Sequence, residues 1–330
     1  MEKKEVYLPI CVPKFSTYNY LAAAGIVGQQ HPQCEEWYVS NCIQVQCSKF
    51  VESQELNLTI HIGQIFDMPF LDIIEHRQSY VLNNLFDYIR NSINNGYYLY
   101  FTNADDFFIK NKSYYNNSHF HHDGLITGFN DIDYTYCISA YNSNFVFSNF
   151  ICDQLSFAEG YNYGYRMSYE TGRIPNMYEV KPNLNIVLPE LDRNKIKHEL
   201  LLYANPSLSN ELIEDEHTAF GINVYKEIQS YLNYLINLDN KTKIIDKRLF
   251  RLLFEHKKNV GDAISIVTSG IPSKELLCDE YKQIIRTFQS WHLHYAKVIR
   301  TGNMKQLSII IEALPSIIEK EISVINKITN

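Results

Sequence analysis

The chain of 330 residues, 45% of them hydrophobic and 20% charged, has a globular composition and room for two domains. Its formal charge of −7 argues against a general nucleic-acid binder, because neutralising phosphates requires a concentrated basic face. No apolar run approaches the ~20 residues that span a bilayer, and the short apolar stretch after Glu5 is broken by Pro9 and Pro13, unlike a cleavable signal. The expectation is therefore a cytoplasmic protein without a membrane partner. The seven cysteines, at positions 11, 34, 42, 47, 137, 152 and 278, show no paired CxxC spacing, so they read as free thiols and not as a zinc site.

Taken in order, Pro13 to Ala24 suits a first helix, with proline in its opening turn, a one-sided face of Phe15, Tyr18, Leu21 and Ala22, and Gly25 and Gly28 at its end. Tyr80 to Ile93 repeats apolar residues at helical spacing and stops at Asn94-Asn95-Gly96. A strand follows at Tyr97 to Phe101, then a polar loop from Lys110 to Ser118. The segment His119 to Asp131 reads as a histidine-bearing strand ending in a turn, followed by strands at Tyr134 to Tyr141 and Phe145 to Phe147. Helices first and an antiparallel meander afterwards make an α+β pattern over residues 1–160.

Residues 161–215, interrupted by Pro175, Pro182, Pro189 and Pro206, read as a connection packed on that domain. The glycine- and tyrosine-rich stretch Glu159 to Tyr169 carries no regular signal, and its tyrosines read as packing residues or as the lining of a substrate cleft. From 216 to 330 the pattern is helical at Phe220 to Leu238, Asp246 to Ser269, Ser273 to Arg300 and Met304 to Ile328, with Pro315 kinking the last, which predicts a four-helix C-terminal domain.

A cysteine at a helix N-terminus is the arrangement that activates a thiol, since unpaired backbone N–H groups and the helix dipole favour thiolate. Cys11, just before the first predicted helix, fits it better than the other six, unless it is an inert core thiol. A base must then be found. His122 precedes Gly128 by six residues on a strand face shared with Gly124 and Ile126, and an imidazole there can relay a thiol's proton. His119 and His121 compete for the role, or are solvated loop residues. The nearby Asp105, Asp106 and Asp123 show no recognised ligand spacing, so no metal is assigned. The orienting residue should come from the strand after the turn, which offers Asn142 and no acid; Asn142 serves equally as an ordinary turn residue.

At these residues the chain resembles the butirosin biosynthesis protein H family, whose N-terminal domain has the papain-like, C39-peptidase-like fold. The pattern His-x-x-aliphatic-aliphatic-x-Gly matches His122 to Gly128, and the longer His-Phe-x-His-Asp-x-aliphatic form matches His119 to Leu125. Cys11 with Pro13 is similar to the nucleophile segment, and Ala140 stands where the family's strand usually ends in Asp. The resemblance covers about residues 5–160 and extends to the amide-forming papain-like enzymes of closthioamide-type biosynthesis. It implies an acyltransferase of natural-product biosynthesis that moves an acyl group from a carrier protein's phosphopantetheine thioester, through Cys11, to a small-molecule amine, with no cofactor of its own. The rivals are a cysteine hydrolase of the same fold, acting as a peptidase or thioesterase, and a non-catalytic scaffold that binds a carrier protein. Arg248, Arg251, Lys257 and Lys258, on one predicted helix, are the candidate docking face for an acidic carrier, unless they form only a solvated helix face.

Overall fold

The structure is a computed structural model that describes residues 4–52, 56–62, 68–77, 81–172, 176–208, 217–237 and 245–329. In chain order its strands and longer helices are β1 (Glu5–Tyr7), α1 (Asn19–Gly28), α2 (Cys34–Asn41), β2 (Val45–Ser48), β3 (Thr59–Ile60), β4 (Leu71–Arg77), α3 (Leu85–Asn94), β5 (Tyr98–Asp105), β6 (His121–Asn130), β7 (Thr135–Tyr141), β8 (Phe147–Asp153), α4 (Gln154–Glu170) and β9 (Asn176–Pro182). They are followed by α5 (Arg193–Ala204), β10 (Thr218–Phe220), α6 (Val224–Asn237), α7 (Leu249–Val267), α8 (Lys274–Thr301) and α9 (Ser308–Thr329). The class is α+β with antiparallel sheets. None of the described helices is long and apolar enough to cross a membrane.

The chain forms two compact units, one of residues 1–34 and 64–187 and the other of 35–63 and 188–330. This differs from a simple N-to-C division at 160 and 216. Strands β2 and β3 leave the first unit because β2 pairs with β10, whose sequence lies beyond 216. The segment expected to be a connection is itself divided, with α4 and β9 in the first unit and α5 in the second.

In the first unit the strands run β4-β9-β5-β6-β7-β8, with β1 pairing the far end of β6. Alternation along β5 sorts its side chains between two faces. Leu99 and Phe101 join Ile126, Ile138 and Met177 in an apolar cluster that also takes in Ile89 and Ile93 of α3 and Phe157 and Tyr161 of α4. Fully burying each of these large side chains contributes roughly 1.5–3 kcal/mol. Tyr98 and Tyr100 point to the opposite face, where α1 lies.

Helix α1 begins at Asn19, later than Pro13. Tyr18 is extended, with φ −117° and ψ 140°, and the Tyr141 hydroxyl donates to the carbonyl oxygens of Ser16 (2.6 Å) and Thr17 (3.1 Å), anchoring residues 16 and 17 before the first turn. Helix α3 starts at Leu85; Tyr80, where its sequence signal opens, lies outside the described residues. Helix α4 carries no strong sequence signal because its glycines weaken it as a helix, yet they face the sheet. Cys152 is on β8, and Cys34 opens α2.

The second unit packs α5 to α9 with the small sheet β10-β2-β3. Helix α8 ends at Gly302, whose φ of 71° is the left-handed conformation that closes a helix. The basic docking face proposed from sequence on α7 is not presented as such. Lys257 is fully buried, its ammonium 2.7 Å from Glu321 and stacked over the Tyr203 and Tyr225 rings. Arg248 pairs with Asp246 at 2.8 Å and Arg251 with Glu255 at 3.4 Å. One helix cannot present all four cations to a partner when its packing needs one of them inside.

Candidate functional site

Two carboxylate–histidine pairs sit where β5 passes into β6. Strand β5 bulges between Phe101 and Ala104, with Asn103 in the left-handed region at φ 60°. Helix α4 lies directly on that irregular backbone. A Cβ on Gly164 would stand 1.6 Å from the Asn103 carbonyl oxygen, and one on Gly160 would stand 2.8 Å from that of Asp105, so only glycine permits the approach. The bulge re-aims the strand end, a common use of such irregularities beside functional sites. Two consecutive acids, Asp105 and Asp106, then serve two different histidines.

Asp105 is fully buried. Its Oδ1 accepts from the backbone N–H of Phe107 (3.0 Å) and Phe120 (3.1 Å), and its Oδ2 lies 2.6 Å from His119 Nδ1, with His121 Nε2 4.0 Å away. The His119 ring is stacked between Phe107 and Tyr163, at centroid distances of 4.6 and 4.3 Å. This pair ties the loop to α4 and leaves His119 little freedom.

Asp106 takes His122. Its Oδ2 accepts a hydrogen bond from His122 Nδ1–H, while its Oδ1 lies 3.4 Å from the Lys112 ammonium, within ion-pair range but without hydrogen-bond geometry. Side chains of Asp106 and Lys112 are each 1% exposed, whereas His122 is 31% exposed. An ionised carboxylate only accepts, so this bond fixes the neutral imidazole as the Nδ1–H tautomer and leaves a lone pair on Nε2. Among the described residues Nε2 has no protein partner and is not sealed from solvent. Burial pushes the Lys112 ammonium below its ordinary pKa, and the Asp106 charge opposes that push.

The sequence candidates fare unequally. His122 does stand at the head of the central strand β6, opposite Ala104 and on the face shared with Gly124. Asn142 is not its orienting partner. Its Oδ1 accepts from the N–H groups of Asn144 (2.9 Å) and Val146 (3.1 Å), and its Nδ2 donates to Ser148 Oγ (2.9 Å), so the amide closes the β7–β8 turn. Ala140 belongs to the apolar cluster, where a carboxylate would be desolvated without compensation; the acid arrives from the end of β5 instead.

Cys11 is not at a helix start. It follows β1 in irregular chain, beside the Tyr98 hydroxyl, which donates to the Pro9 carbonyl at 2.5 Å. Burial, with a smaller contribution from Cys11, pushes that hydroxyl up to about 12. Tyr98 and Ala104 are six residues apart on β5, roughly 20 Å at the usual strand rise. Tyr98 also faces α1, the opposite side of the sheet from His122. No hydrogen bond joins Cys11 to His122. Cys152, closer to Lys112, has its thiol pushed up to about 12, chiefly by burial, and is not a nucleophile at neutral pH.

The start of α1 faces a different residue of β6, Asp123. Asn19 Nδ2 donates to the Asp123 carbonyl (3.0 Å), and the Tyr100 hydroxyl donates to its carboxyl (2.6 Å). Burial raises the Asp123 pKa, opposed by the Tyr100 bond and by the charges of His122 and Lys112. Among the described residues no three His, Cys, Asp or Glu side chains converge as a metal site. The histidines are each drawn to a carboxylate, His119 and His121 to Asp105 and His122 to Asp106.

The residues that sequence reasoning missed as partners are Asp105, Asp106 and Lys112. A signal existed: paired acids at the end of an apolar strand, fourteen and sixteen residues before His119 and His122, mark the two legs of one hairpin-like connection. No protein-family model matches the chain, and the search of curated proteins finds no match.

Proposed function

We propose that this protein is an acyl-transfer enzyme in which His122, oriented by Asp106, is the general base. One observation carries the proposal: the Nδ1–H is committed to a buried carboxylate while Nε2 keeps a lone pair with access to solvent. The acyl donor is a carrier-protein phosphopantetheine thioester and the acceptor a small-molecule amine. Nε2 removes a proton from the amine as its nitrogen bonds to the acyl carbon. The tetrahedral intermediate then breaks its C–S bond, and the imidazolium returns the proton to the departing pantetheine sulfur. Proton count and charge balance without an added reagent or a resident cofactor.

What supports transfer without an acyl-cysteine is the position of Cys11, at the other end of β5 and toward the other sheet face. What supports a papain-like reading is the layout of one helix laid on an antiparallel sheet, with the base at the head of a central strand. The reading places the reaction in the cytoplasm, as part of natural-product assembly.

The experiment is incubation with an acyl-loaded carrier and a diamine, with products identified by mass spectrometry. Amide is expected, and it should persist in Cys11→Ala. Free acid as the only product would make the protein a hydrolase. Loss of activity in Cys11→Ala, together with an acyl adduct on Cys11 in the unsubstituted protein, would reinstate the covalent route. A carrier that binds without turnover would leave a scaffold.

A further inference from the structure

The Lys112 side chain is buried and has no surface role, yet its ammonium is held 3.4 Å from the carboxylate that orients His122. Burying a lysine is costly, and here it is buried at the back of the base, on the far side of Asp106. We propose that Lys112 is the positioning residue that keeps the Asp106–His122 pair one proton short, so that Nε2 stays unprotonated and able to act as a base. This inference rests on the reading of His122 as the general base.

With the lysine charge present, the carboxylate is already compensated and gains little from a second cation. With that charge removed, a buried carboxylate faces a neutral imidazole alone, and the pair takes up a proton from solvent. The added proton is shared in one of two ways, as carboxylate with imidazolium or as carboxylic acid with the Nε2–H tautomer. In both, Nε2 carries hydrogen and its lone pair is lost.

Tyr114 of the loop contributes a ring 6.3 Å from that of His122. Asp123, next along β6, has its carboxyl hydrogen-bonded to Tyr100 on the other sheet face. Cys152 of β8 is electrostatically coupled to Lys112 and is held as a neutral thiol. His121 lies toward Asp105. Lys112 is therefore the compensating cation nearest Asp106 among the described residues.

The test is nitrogen NMR of histidine in the unsubstituted protein, in Lys112→Met and in Lys112→Gln, together with the pH dependence of kcat/KM. The glutamine variant retains a donor toward Asp106 and guards against failure of the methionine variant to fold. In the unsubstituted protein at neutral pH, His122 should show Nδ1 protonated and Nε2 bare. In the variants Nε2 should become protonated at a pH about one to two units higher than in the unsubstituted protein, a ten- to hundredfold change in proton concentration. The acidic limb of the pH–rate profile should move by the same amount. Folded variants whose Nε2 titrates as in the unsubstituted protein would overturn the inference even if activity fell. If the nitrogen signals move as expected while His122→Gln retains full activity, the role of Lys112 stands and the reading of His122 as base fails.

Discussion

Acidification should weaken the helical unit before it damages the sheet unit, and His256 is the main reason. His256 is fully buried on α7; its Nε2 donates to the Ile43 carbonyl at 2.7 Å and its Nδ1 has no partner among the described residues. Burial first, and the neighbouring Lys257 charge second, hold its pKa well below 6.5, with the Ile43 bond opposing them. The folded state therefore keeps His256 neutral where the unfolded chain takes up a proton. Its contribution is fully present above pH 6.5 and is lost as pH falls through and below that value, at up to about 1.4 kcal/mol per pH unit. By pH 5.5 the loss from this residue is about 1.4 kcal/mol. His61, lowered mainly by burial against Glu199, and His292, lowered by burial and Arg251 against Glu255, act in the same direction but are half-exposed and count for less. Both tryptophans, Trp37 and Trp291, are in this unit, so denaturant unfolding followed by tryptophan fluorescence reports on it alone. The comparison is between pH 7.5 and 5.5 in the unsubstituted protein and in His256→Gln, which retains an N–H donor for Ile43 but does not titrate. The substituted protein should lose less stability on acidification by about 1.4 kcal/mol. An equal loss in both would mean that His256 is not the group whose protonation weakens this unit.

Other outcomes follow from the same geometry. Glu321→Ala leaves Lys257 buried without its counter-charge and removes an acceptor from Tyr281, so a loss of about 3–5 kcal/mol is expected in the same unfolding assay. Gly164→Ala forces a methyl against the Asn103 carbonyl, which should cost roughly 1–3 kcal/mol or more and displace Asp105 and Asp106; full activity with unchanged melting would contradict the role given to α4. Ile126→Ala in the sheet core should cost roughly 2–5 kcal/mol by calorimetry.

The strand carrying His122 was legible from the period of its side chains and its closing turn, and the long C-terminal helices from apolar spacing with glycine and proline stops. Those signals are local, and the site depends on features that are not. Asp106 reaches His122 only because a bulge at Asn103 turns the end of β5, and that bulge is accommodated by glycines on a helix sixty residues later. The same glycines lower helix propensity, which hid α4. Cys11 misled because Pro13 resembles a helix start, whereas the Tyr141 hydroxyl holds the chain at residues 16 and 17, and no local pattern reveals a contact from residue 141. The pairing of β2 with β10 likewise joins residues 170 positions apart, so the division into units was not readable from composition.

The proposed role of His122 as a base oriented by Asp106 can be measured directly. The direct measurement is the single-turnover rate of amide formation from an acyl-loaded carrier by the unsubstituted protein, His122→Gln and Asp106→Asn, each checked for native melting. A loss of roughly 10²–10⁴-fold is expected for His122→Gln and a substantial loss for Asp106→Asn, which sets the wrong tautomer. A folded His122→Gln protein that forms amide at the unsubstituted rate would contradict that role.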